Sequence, residues 1–166
     1  MKSRWMIALL AATAISTFAA VPASAQTFTL TANLTGDAEG SRTSNGVQTG
    51  AFGSATVVVD LTARTVTYKV DVFNLPSGVT ASHIHVGSKD AGSGPVVVNF
   101  APPIHASNDF GYSGVVKDTE FILRPDQGIR SADDMFQAII GGNSYVNVHS
   151  DVNPGGEIRG QLILKQ

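Results

Sequence analysis

The chain has 166 residues, 43% of them hydrophobic and 14% charged, with no cysteine and a formal net charge of −2. Without cysteine there is no disulfide framework, thiolate metal site, thiol nucleophile or cysteine-borne lipid anchor. The acidic balance argues against nucleic acid as a partner, because phosphate binding needs a basic face.

Lys2 and Arg4 precede an apolar stretch from Trp5 to Val21, and Pro22-Ala23-Ser24-Ala25 follows it. That order reads as a cleavable secretory signal over residues 1–25. Thr13, Ser16 and Thr17 interrupt the stretch, which is short for a span of about 20 apolar residues. Cleavage leaves 141 residues with 9 basic against 13 acidic side chains, a net charge of −4. This is one domain, residues 27–166, long enough to bury a single core. The expected location is periplasmic or extracellular, with no membrane span in the mature chain.

Phe28, Leu30, Ala32 and Leu34 alternate with polar residues, the period of a half-buried strand. The glycine-rich, polar run from Gly36 to Gly53 predicts a long loop with room for an edge hairpin. Val57, Val59 and Leu61, then Val66, Tyr68, Val70 and Val72, predict two strands joined at Thr62-Ala63-Arg64. Leu75-Pro76-Ser77-Gly78 ends that pair. Strands follow at 81–86 and 96–100, separated by a loop from Gly87 to Pro95, with weaker candidates at 110–116 and 120–123.

One helix is expected at 132–140: Ser131 is a natural N-cap, Asp133 and Asp134 suit the positive end of the dipole, and Gly141-Gly142 supplies the stop. The last strands are 144–149 and 158–164, joined by Asp151 to Gly156, with Ile158, Leu162 and Leu164 as anchors. Many short strands and one helix predict an all-β chain folded as a Greek-key β-sandwich.

Chemistry concentrates on histidine. His83 and His85 lie two apart in Ser82-His83-Ile84-His85-Val86, so on a strand they share a face about 6 to 7 Å apart along the chain. Ile84 and Val86 take the other face. In Tyr145-Val146-Asn147-Val148-His149 the valines face the core and His149 shares the outer, polar face. If the two strands are neighbours, His83, His85 and His149 form a candidate metal site. Three neutral imidazoles suit copper, zinc or nickel rather than calcium or magnesium, which want oxygen. His105, beyond Pro102-Pro103, is a candidate fourth ligand carried by a loop. The alternative is ordinary: outward histidines on a strand, solvated or bonded to a nearby carboxylate.

Glu157 and Arg159 share the outer face and are expected to pair, at small gain if exposed. Arg159 is also a candidate guide for an anion approaching a metal on that face. No nucleophile elbow or phosphate-cradling loop is present. The G-x-G spacing within Gly87 to Gly94 lacks the helix that a nucleotide site requires.

Taken together, Ala81 to Gly87, Gly94 to Val98, Tyr145 to Ser150 and Asn153 to Leu162 resemble the CHRD domain, the module named after chordin and found in many exported bacterial proteins. The resemblance runs through nearly all of Phe28 to Leu164. More distantly the chain is similar to the copper-zinc superoxide dismutase sandwich, in which an H-x-H strand and a later histidine hold copper. His83, His85 and His149 fall in that order, and Arg159 falls near the position of an anion-guiding arginine. The chain departs from that family in having no cysteine pair and no zinc loop of histidines and aspartate, and it offers only His105 as a bridging ligand.

Three readings follow. The first is an exported, non-enzymatic binding module with a surface copper or zinc site. The second is a structural or protein-interaction domain with no metal. The third is a superoxide-dismutase-like redox enzyme, which needs an open coordination position.

Overall fold

A computed structural model describes residues 26–41, 46–88 and 92–166. The secretory signal read at 1–25 lies outside the described residues. The alternating segments form β1 (Thr27–Thr35), β2 (Phe52–Asp60), β3 (Thr65–Leu75), β4 (Val79–Val86), β5 (Val96–Asn99) and β6 (Asn108–Lys117). Then come helix α1 (Ala132–Ile140) and the strands β7 (Ser144–Ser150), β8 (Ile158–Gln161) and β9 (Ile163–Leu164). Among the described residues no helix is long and apolar enough to cross a membrane.

All pairings are antiparallel, and the strand order is β5-β4-β7-β8-β1-β2-β3-β6, with β9 also on β1. Strands β1 to β3 form a meander. The connections β3 to β4, β5 to β6, and β6 through α1 to β7 each cross to the other half of the sheet, as a Greek key requires. Strands β8 and β1 share one register pair, Thr35 with Arg159, against nine between β1 and β2. The strands together make a nearly closed sandwich. Leu30, Leu34, Val57, Val70, Ile84, Val146 and Ile158 meet inside it.

The turn between β2 and β3 is held by Asp60, whose carboxylate accepts from the backbone N–H groups of Thr62 and Ala63 at 2.9 and 2.8 Å. Helix α1 starts where capping predicts: Ser131 Oγ accepts from Asp134 N, and the Asp134 carboxylate accepts from Ser131 N. Its face of Met135, Phe136 and Ile139 closes one end of the core.

Local expectations change in three stretches. The stretch 36–53 carries a short 3-10 turn at Asp37–Ser41, and its last residues, Phe52 and Gly53, open β2; no hairpin stands there among the described residues. Residues 120–123 are not a strand. Asp118–Glu120 is a 3-10 turn because the Glu120 carboxylate accepts from the Lys117 N–H. Beyond it, Ile122 N–H donates to Val97 O and covers the edge of β5. The single strand expected at 158–164 breaks at Leu162, so Leu162 anchors the core while Leu164 lies exposed on β1.

Gly160 sits where β8 meets β1, and an added Cβ would stand 2.1 Å from Asn33 O, a backbone atom that cannot swing aside. Gly160→Ala is expected to cost about 1–3 kcal/mol through overpacking. Urea denaturation should show it as a lower midpoint with an unchanged slope.

Candidate metal centre

Pairing of β4 with β7 decides the geometry. Ala81 stands opposite His149, His83 opposite Asn147 and His85 opposite Tyr145, so the three histidines occupy one face of two neighbouring strands. Small Ala81 lets the His149 ring lean toward His83, and Nδ1 of His83 lies 3.2 Å from Nε2 of His149. One nitrogen from each of the three rings lies within 4.8 Å of the other two. Nitrogens bound at about 2.0–2.1 Å to a common tetrahedral ion stand about 3.3 Å apart. The His83–His149 separation already matches, and a pair at the 4.8 Å limit closes by about 1.5 Å of ring movement.

Backbone carbonyls set two of the tautomers. His85 Nδ1 lies 2.8 Å from Gly94 O, and His149 Nδ1 lies 2.9 Å from Pro154 O. A carbonyl only accepts, so both Nδ1 atoms carry the proton and both Nε2 atoms present a lone pair. This is the support that metal-ligating histidines use almost everywhere. Burial, and then the neighbouring His149 and His85, lower the His83 pKa from 6.5 to about 4, which leaves its ring neutral at pH 7.

The face that carries these rings is polar but not open. Tyr145, Asn147 and Arg159 are buried, His85 is 7% exposed, and His83 and His149 reach solvent in part. Three pieces of chain roof it: Gly94 over His85, Pro154 over His149, and the 3-10 turn whose buried Glu39 accepts a hydrogen bond from Asn147 Nδ2. Residue-by-residue alternation gave no sign of this roof.

Two expectations for neighbouring residues fail for the same reason. Arg159 is 2% exposed, its guanidinium carbon 3.4 Å from the centre of the Tyr145 ring and its Nη2 donating to Ser88 O at 3.1 Å. Held there, it cannot draw anions from solvent. Glu157 is fully buried and accepts from Ser150 Oγ and Asn153 Nδ2, both at 2.6 Å, so it braces the β7–β8 turn. His105 is exposed and outside the histidine cluster; its backbone N–H pairs with Val79 O, at the far end of β4 from His85. The carbonyls of Gly94 and Pro154 and the carboxylate of Glu39 escaped the sequence reading. Backbone acceptors have no side-chain signature, and the available hint was the glycine at 94, where a Cβ would stand 1.7 Å from Val86 O.

A family model described as the CHRD domain matches residues 30–162. No curated protein and no solved structure matches the chain.

The lowered His83 pKa fixes a pH dependence. Below pH 6.5 the unfolded chain takes up a proton that the folded chain resists until about pH 4. The unfolded state therefore binds more protons in that window, and stability falls as pH falls through it. Metal-free protein should lose thermal stability between pH 6.5 and 4, and His83→Gln should flatten that slope in a series of melting curves.

Proposed function

We propose that this chain, which belongs to the CHRD domain family, is an exported, non-enzymatic binding module that holds one copper or zinc ion between His83, His85 and His149. One observation carries the reading: His85 and His149 each give Nδ1–H to a backbone carbonyl, Nε2 of His149 lies 3.2 Å from Nδ1 of His83, and one nitrogen of each of the three rings lies within 4.8 Å of the other two. A donor set of neutral nitrogens fits copper or zinc, and it lacks the oxygens that calcium or magnesium would need. The ion would join β4, β7 and, through their carbonyls, the two roofing loops. Export rests on the pattern of residues 1–25.

The non-enzymatic part rests on what surrounds the rings. Arg159 is buried against Tyr145, which removes the anion guide that a dismutase-type reaction would want on this face. No carboxylate belongs to the cluster to move protons there, among the described residues. A second reading, a structural or interaction domain without metal, draws on the direct hydrogen bond between His83 and His149.

Titration of the purified protein, starting at residue 26, with Cu(II) and separately with Zn(II) distinguishes the two. The expected result is one equivalent bound, with affinity reduced about 100-fold or more in His85→Ala and in His149→Ala. A flat titration, or affinity indifferent to both substitutions, hands the histidines to the hydrogen-bonded network.

A further inference from the structure

We infer that Tyr145, capped by Arg159, is a positioning residue for His85: with Gly94 it fixes the plane, direction and tautomer of that ring, so that Nε2 faces the metal site. The inference rests on the metal reading above, but its geometry stands without an ion.

An imidazole on a strand keeps one soft rotation about its own axis, and a ligand atom is aimed only when that rotation is stopped. Two constraints stop it here. The ring of His85 lies parallel to that of Tyr145, with centroids 4.9 Å apart and planes 6° apart, which sets the plane. The hydrogen bond from Nδ1 to Gly94 O sets the direction within that plane. These constraints are coupled, because Gly94 N–H donates to Tyr145 Oη at 3.0 Å. One peptide segment thus receives His85 on its carbonyl and grips Tyr145 with its amide.

Arg159 secures the other side. It comes from β8 while His85 comes from β4, so the two reach Tyr145 from opposite sides of β7. The guanidinium lies flat enough over the phenol to stand 3.4 Å from its centre, and it also donates to Ser88 O. From the same strand, Gln161 Nε2 donates to Gly87 O at 3.0 Å. The roof that carries Gly94 is therefore fastened at its start by β8 and at its end by Tyr145. Keeping an arginine buried is costly, and packing alone would be served by an apolar residue. A planar cation that holds both a ring and a loop is a role that lysine cannot fill.

The test reads the tautomer directly. Long-range ¹⁵N–¹H spectra of the metal-free protein at pH 7 should show His85 as a single Nδ1–H tautomer. Tyr145→Phe keeps the stack but loses the acceptor for Gly94, and Arg159→Met loses the cap. Both should give a mixed His85 tautomer and a drop of about 10- to 100-fold in Cu(II) and Zn(II) affinity, the range for lost ligand support. Arg159→Lys should fail to restore either readout. Tyr68→Phe is the control, since Tyr68 Oη likewise accepts a backbone N–H, that of Ala101, away from the histidines. The positioning role is overturned if His85 keeps its wild-type tautomer in both test variants, or if Tyr68→Phe disturbs it equally. Should the wild type bind no metal, the metal reading fails while the tautomer arm still decides this one.

Discussion

The register between β4 and β7 is the constraint on which everything else at this site depends. Side chains alternate along a strand, so a slip of one residue would send His149 into the core and bring Val148 out beside His83. What prevents the slip lies on the opposite face. Ile84 stands against Val146 and Ser82 against Val148, and all four are buried. Ser82 Oγ also donates to Asn147 O at 3.0 Å, a bond made only in this register. The apolar side of the two strands thus chooses the register, and the register brings the histidines together. Ala81 then supplies the room, because a larger residue opposite His149 would fill the space into which its ring leans.

A second layer of the argument concerns the loops. A strand face of His, Tyr, Asn, Arg and Gln would ordinarily be left to water, where an imidazole keeps an ordinary pKa and samples both tautomers. Here loops cover it, and they bring carbonyls over His85 and His149 and a carboxylate over Asn147. Glycine makes the close approach possible. At Gly156, with φ at 132°, a side chain would collide with Asn147 Nδ2 and Glu39 Oε1, both 2.6 Å from where a Cβ would stand. Burying polar groups costs free energy unless each finds a partner, so this face is either well matched or destabilising.

The sequence disclosed phase far better than exposure. Alternation in Thr65–Leu75 or Thr27–Thr35 has one physical cause, a side buried in the core, and those strands were legible to within a residue or two. The helix was legible to the residue, since Ser131, Asp134 and Gly141 leave little freedom in where it starts and stops. The shared phase of His83, His85 and His149 was also legible. Alternation does not say whether the polar face meets water or a loop, and so placing Glu157 and Arg159 on the outer face does not reveal that both are buried. Residues 120–123 looked like a strand for a related reason. Phe121 does pack into the core, but on a coil laid against the edge of β5 through Ile122 rather than as a rung of the sheet, and Leu123 is left exposed.

The metal-free network and a metal-holding site differ by little more than one proton. His149 already donates Nδ1–H to Pro154 O, so its Nε2 can only accept, and the hydrogen bond to His83 is carried by Nδ1–H of His83. In the proposed site His85 and His149 would therefore need no change of tautomer. His83 alone has to change, passing its proton from Nδ1 to Nε2 so that Nδ1 faces the site as a lone pair. It is well placed to do so: its ring is half-buried, is held neutral by its surroundings, and reaches solvent in part, where water can carry the proton across. The bond given up is a single neutral one, worth about 0.5–1.5 kcal/mol net. For the proposed site, the cost of giving up this network is therefore small.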